Sequence, residues 1–249
     1  MSFDFGYIWK TLPLLLTGLK MTVFISVIGI ILSLLIGMAG AVIRTLKVPV
    51  LSQIVTAYVE IIRNTPLLVH VFFLYFGLPS LGIKLDALTC GILSLALWGG
   101  AFAVENFRGG TDNVPKALIE SGQSLGLSTW QIVRSIIVPL GFRISFPAFS
   151  NTAVSVIKNS AYLTGIGVAE MTFMAVDRMA YDFKTYEILV SIACIYLILI
   201  WGTSFLFSII ERKLDFYKQT AERVKTSGRF DQKFAISIPR VDEDSASKS

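Results

Sequence analysis

The chain has 249 residues, 54% hydrophobic and 16% charged, with a mean hydropathy of +0.68; soluble domains carry roughly 25% charged residues, so an ordinary globular domain is excluded in favour of a membrane-embedded one. The net charge of +5 fits basic loops beside a bilayer. No finger, basic-zipper or RNA-recognition pattern accompanies it, which argues against nucleic acid as a partner. One histidine and two cysteines, Cys90 and Cys194 inside apolar runs, offer little for a metal site, a disulfide framework or a Ser-His-Asp triad.

In chain order, the opening MSFDFGYIWK lacks a basic n-region and leads into a long apolar run, which reads as a retained span and not a cleaved signal. A spanning helix needs about 20 mostly apolar residues, because lipid offers an open backbone no partners. Residues 21–43 carry no charge, and Gly29, Ser33, Gly37 and Ala41 recur on one face suited to close helix packing. The first span is therefore expected over about residues 19–43. The uncharged run 64–83 has an amphipathic lead-in, 54–63, expected to continue as one helix and give a second span over about 54–79. Further spans are expected over about 87–108, 144–168 and 187–211. The fourth holds Asn151, Thr152, Lys158, Asn159 and Ser160, too many polar groups to face lipid.

The sequence thus predicts an all-α membrane protein of about five transmembrane helices, with a membrane domain over 1–212. A cytoplasmic C-terminal tail over 213–249, partly disordered, ends in DEDSASKS. Lys and Arg favour an N-out, C-in orientation: Arg44, Lys47, Arg63, Arg108, Lys116, Arg134 and Arg143 then fall inside, as does the tail.

One stretch does not read as membrane. Residues 117–140, ALIESGQSLGLSTWQIVRSIIVPL, are expected to form two short helices. Asn113 and Pro115 are good helix-start residues, Leu118 and Leu125 share a face, and Gly126 can end the first helix left-handed. Ser128 to Gln131 is a capping box, Ile132, Val133, Ile136 and Ile137 line one side of the second helix, and Pro139 is expected to stop it. Amphipathicity alone leaves two readings open, a helix lying on lipid and a docking element.

The stretch Val114-Pro115-Lys116-Ala117-Leu118-Ile119-Glu120-Ser121-Gly122-Gln123-Ser124-Leu125-Gly126-Leu127-Ser128, with Ile137-Val138-Pro139 downstream, resembles the EAA loop of binding-protein-dependent ABC importer permeases. Ser121-Gly122 stands where the family has two alanines, and Ala117-Leu118 where it has Gly-Gln. Tyr58-Val59-Glu60-Ile61-Ile62-Arg63-Asn64-Thr65-Pro66 and Phe102-Ala103-Val104-Glu105-Asn106 are similar to segments of the polar amino-acid branch, of the histidine, glutamine and glutamate permease type. Lys158-Asn159-Ser160-Ala161-Tyr162 stands where that branch often has Lys-Asp-Thr-Ser-Leu.

The resemblance implies a type I ABC importer permease fold in the bacterial cytoplasmic (inner) membrane, with 112–140 as a coupling-helix hairpin. It implies a second permease subunit, identical or paralogous, a dimer of ATPase subunits, and a periplasmic or tethered amino-acid-binding protein. Docking onto the ATPase falls to Lys116, Glu120, Gly122, Leu125, Gly126 and Leu127. No G-x-x-x-x-G-K-[ST] phosphate cradle occurs, so this chain is expected to carry no cofactor and no catalytic residue, with ATP and Mg bound by the partner.

Ionisable and polar residues inside spans are the candidates for a substrate path: Lys158, Asn159, Ser160, Glu105, His70, Asn151 and Tyr162. Lys158 can meet a substrate carboxylate or form an ion pair. Glu105 can read an amino group or pair with Arg108 one turn on. His70 reads either as a path residue or as a buried histidine satisfied by a neighbour. An ATP-independent channel or secondary transporter is the alternative; no inverted repeat and no broken-helix pair is legible to favour it. A membrane enzyme lacks a convergent catalytic cluster.

Overall fold

The computed structural model describes residues 3–214. Among them every regular element is helical. The tail expected over 213–249 lies outside the described residues from 215 on. The chain divides into two units, Met1–Phe207, which holds the helical bundle, and Ser208–Ser249, whose described part is the end of the last helix.

Helix α1 (Phe5–Thr45) starts where the Asp4 carboxylate accepts the Tyr7 amide at 3.1 Å. It therefore begins some fourteen residues before the expected 19, and its 41 residues extend about 60 Å, well beyond a hydrocarbon core of about 30 Å. Pro13 sits inside it, and the carbonyl of Pro13 is taken by the Thr17 hydroxyl. The buried stripe of α1 carries Leu15 and Ile25 in its first half and is otherwise mostly small: Gly18, Thr22, Ser26, Gly29, Ser33, Gly37, Gly40 and Ala41.

From Gly29 on, that stripe receives α4 (Ala87–Asp112), which runs parallel to α1: Ser33 donates to the carbonyl of Ala96, Arg44 pairs with Glu105, and Thr45 meets Thr111. The backbones approach so closely that a methyl on Gly37 would overlap Ala103 Cβ. Without a hydrophobic drive between helices in lipid, such small-residue contact is what holds spans together. Antiparallel to both runs α7 (Val138–Asn159), with Phe142 and Phe149 stacked on Phe107 at 5.6 and 5.5 Å.

The second span departs from the expectation of one continuous helix. Helix α2 (Leu51–Arg63) and helix α3 (Leu67–Phe72), which continues through a wide turn to Leu81, meet at 108°. The cause is Pro66: it has no N–H for the ladder, and its ring drives Thr65 out of the helical region. With the bent pair as one span the chain has five, otherwise four.

Pro139 does not stop its helix either. Helix α6 (Thr129–Ile132), a π turn at Val133–Ile137 and α7 form one continuous rod. The wide turn just ahead of Pro139, with the Val138 amide reaching back to the Val133 carbonyl, makes room for the proline ring. The fourth span thus begins near Thr129, not at 144. Asn113 closes α4 instead of opening the next helix, its amide donating to the Gly109 carbonyl at 2.7 Å.

Beyond α7 the chain tightens into a 3-10 segment, Ser160–Ile166, ended by left-handed Gly167. Helix α8 (Met171–Asp182), which falls between the fourth and fifth expected spans, then precedes α9 (Thr185–Leu214). Exposed Phe5, Trp9, Tyr181, Phe183 and Tyr186 cluster at the α1 start and the α8–α9 corner, the composition of a membrane–water interface.

Candidate functional site

Two regions carry the residues the sequence singles out. The first is the hairpin at the end of the bundle where α1 and α4 finish. Helix α5 (Lys116–Ser124) starts at Pro115 and ends at Gly126, whose φ of 75° lets the Gly126 and Leu127 amides reach the carbonyls of Gln123 and Gly122. Ser128 and Gln131 form a full capping box, the Gln131 amide donating to Ser128 Oγ at 3.3 Å and the Ser128 amide to Gln131 Oε1 at 2.8 Å.

Gly122 is the hinge pin of this fold. It is buried, with Ile136 Cδ1 3.0 Å and Ile132 Cγ1 3.3 Å from where a Cβ would sit, so α5 lies flat on the α6 rod. Lys116, Glu120, Leu125 and Gly126 remain exposed, and Leu127 is half-buried. Leu125 does not share the packed face of Leu118: it caps the helix and is 80% exposed. Trp130, inside the capping box but not part of its hydrogen bonds, is 54% exposed beside it. The knob thus exposes two large apolar side chains, Leu125 and Trp130, on an otherwise polar surface.

The second region lies where the broken span meets the end of α7. Leu67 and Val71 pack with Leu163 and Ile166 in one core cluster, and Phe72 lies 3.1 Å from the point a Cβ on Gly165 would occupy. At the break, Asn64 and Pro66 are exposed on this protomer. Thr65 Oγ1 and His70 Nε2 lie 2.5 Å apart across the break, and the Thr65 hydroxyl also donates to the Ile61 carbonyl at 2.7 Å. His70 Nδ1 is buried and makes no hydrogen bond.

The remaining candidates do not converge on one cavity within the protomer. Lys158, in the last turn of α7, is exposed and makes no ion pair among the described residues. Asn159 beside it is half-buried; Ser160 is buried and donates to the Ile157 carbonyl at 2.8 Å. Tyr162 and Asn151 are exposed. Glu105 sits apart, at the hairpin end, where it accepts from Arg44 and, at 2.9 Å, from Arg108, which also reaches Asp112 at 2.6 Å. The groups on the open face near Lys158 hold donors suited to a carboxylate and amides suited to a zwitterion.

Glu170 and the break at Thr65-Pro66 are what sequence reasoning missed. The second had a signal, a proline in an uncharged run; the first had none beyond a carboxylate between two apolar segments.

Residues 29–216 match the family described as binding-protein-dependent transport system inner membrane component. The chain belongs to this family.

Its relatives agree. The glutamine transport system permease protein GlnP of Escherichia coli is 35% identical over 216 residues, covering 86% of this chain and 99% of the relative. The probable amino-acid ABC transporter permease protein PatM of Vibrio harveyi is 33% identical over 205 residues, covering 81% and 90%. The crystal structure of an amino acid ABC transporter with histidines superposes with a TM-score of 0.80 at 30% identity, covering 86% of this chain and all of that one.

The protein is thus a multi-pass inner-membrane permease subunit with the type I ABC importer permease fold, a transport component and not an enzyme. One span is broken, that of α2 and α3, and the family decides the class.

Proposed function

We propose that this permease moves an amino acid across a bacterial cytoplasmic membrane, driven by ATP that a partner hydrolyses. Two such permease subunits, identical or paralogous, pair in the membrane, and a dimer of ATPase subunits holds ATP and Mg. A binding protein, free or tethered, delivers the amino acid on the opposite side. The N-terminus faces out and the hairpin faces the cytoplasm.

The observation that carries this reading is the hairpin itself: a capped, rigid knob with exposed Leu125 and Trp130, rooted through Gly122 on a helix continuous with the fourth span. Thr129–Ile166 is one continuous helical stretch, so a displacement of the knob is carried along it toward Lys158 and Ser160. Nucleotide-driven closure of the ATPase dimer then becomes rigid-body rocking between inward- and outward-open states.

On the path, the exposed ammonium of Lys158 takes the substrate carboxylate, and Asn159, with the exposed break at Asn64 and Pro66, lines the route. Glutamine is the first substrate to test, since a 35% identical relative carries that name.

The experiment is reconstitution of the permease with its ATPase and binding protein in vesicles, with uptake measured across the twenty amino acids. ATP-dependent uptake of one or a few of them is expected; uptake that persists without ATP overturns the reading in favour of a channel.

A further inference from the structure

Glu170 is fully buried, yet it forms no ion pair among the described residues. Its carboxylate is a knot for four elements. Oε1 accepts from the Thr164 hydroxyl at 2.7 Å and the Phe173 amide at 2.8 Å. Oε2 accepts from the Thr172 amide at 2.9 Å, the Tyr196 hydroxyl at 3.3 Å and the Thr22 hydroxyl at 3.4 Å. Thr22 in turn accepts the Met171 amide at 3.1 Å, so α1 is fastened to the start of α8 twice over.

Capping α8 requires only the two amides. The three hydroxyls are surplus to a cap, and they come from α1, the 3-10 segment and α9. The 3-10 segment is the direct continuation of Lys158 and Asn159. We infer that Glu170 is a positioning residue for transport: it fixes the 3-10 segment, and through it Lys158 and Asn159, against the α1–α8–α9 wall. This inference rests on the reading that Lys158 and Asn159 line the path.

The geometry makes one sharp demand. Each carboxylate oxygen faces a backbone N–H, which cannot reverse its polarity as a hydroxyl can. A glutamine of the same shape must aim its own N–H2 at one of these donors in either orientation. A buried donor facing a donor is the costly case. Glu170→Gln is therefore a disruptive change despite its size.

The test uses the full transporter complex in vesicles and the labelled amino acid that wild type takes up fastest. Glu170→Gln is expected to lower uptake at least tenfold. Because that variant can also fail to assemble, Thr164 supplies the second arm. Thr164→Val, isosteric but without the hydroxyl, is expected to lower uptake about threefold to tenfold with assembly unchanged, while Thr164→Ser restores the wild-type rate.

A packing role predicts the reverse order, Val above Ser, and that result overturns the inference. Combining Thr164→Val with Asn159→Ala should give less than the product of the two single losses; a full product marks independent roles and also overturns it. Unchanged uptake in Thr164→Val alongside a strong loss in Lys158→Ala sinks the positioning role and leaves the path reading intact. Unchanged uptake in both sinks the path reading as well.

Discussion

Thr65 and His70 face each other across the break in the second span, hydroxyl and Nε2 2.5 Å apart. Thr65 gives its own proton to the Ile61 carbonyl, so in this pair the hydroxyl oxygen is the acceptor and His70 Nε2 carries the hydrogen. Nδ1 is then the bare nitrogen, buried without a donor. Nitrogen-15 spectra of histidine-labelled protein should accordingly report a single neutral tautomer with hydrogen on Nε2. Thr65→Val removes the acceptor and should disturb that signal.

The parallel seam of α1 and α4 depends on missing side chains. Gly37→Val places atoms inside Ala103, and overpacking of this kind destabilises by about 1–3 kcal/mol. Gly109 lies on the same α4 with nothing within 4 Å of the point a Cβ would occupy, and Gly109→Ala should be neutral or stabilising by up to about 1 kcal/mol. Thermal unfolding of the two variants in detergent, side by side, checks the contrast.

Lys158 stands without an ion pair among the described residues, on the open face of α7. Lys158→Ala should lower ATP-driven uptake about tenfold or more, the worth of one charge-assisted contact, while the amount of assembled complex stays near wild type. A variant that assembles poorly but transports normally per complex would return Lys158 to a structural role.

Of the two roles open to Glu105, reading a substrate amino group and pairing with Arg108, the structure shows the pairing and adds a second partner, Arg44. Both side chains of the Arg44 pair are 20% exposed, so removing one partner leaves a half-buried charge behind. Glu105→Gln should therefore reduce assembly. Exchanging the charges, Arg44→Glu with Glu105→Arg, should recover part of both assembly and uptake. Recovery of assembly without any uptake would favour the amino-group reading.

Much of this was legible in the sequence because the bilayer imposes long, uncharged helices with internally satisfied backbones. The seam of Gly29, Ser33, Gly37 and Ala41, the capping box at Ser128, and the left-handed Gly126 all follow from local chemistry. What escaped were the effects of two prolines that act oppositely. Pro66 breaks its span by 108°, whereas Pro139 is absorbed by a π turn. Which outcome a proline has depends on whether the preceding turn can widen, and neighbouring helices decide that. Glu170 escaped for a similar reason: its five donors come from four elements, and what buries it depends on how α1 and α9 pack against the start of α8.

The hairpin allows a direct loss-of-function test as well. Glu120→Lys with Gly126→Asp reverses a charge and strains the left-handed turn, since only glycine adopts a φ of 75° without cost. Membrane insertion should be unaffected, and ATP-dependent uptake abolished.

The central claim, that an ATPase subunit seats on this knob, is tested most directly by cross-linking. With a single cysteine at Leu125 or Trp130, and Cys90 and Cys194 replaced, a short bifunctional reagent should join the permease to its ATPase, and the yield should change when ATP is added. Cross-links that form only to lipid or not at all, in a complex that still imports its amino acid, would contradict the account.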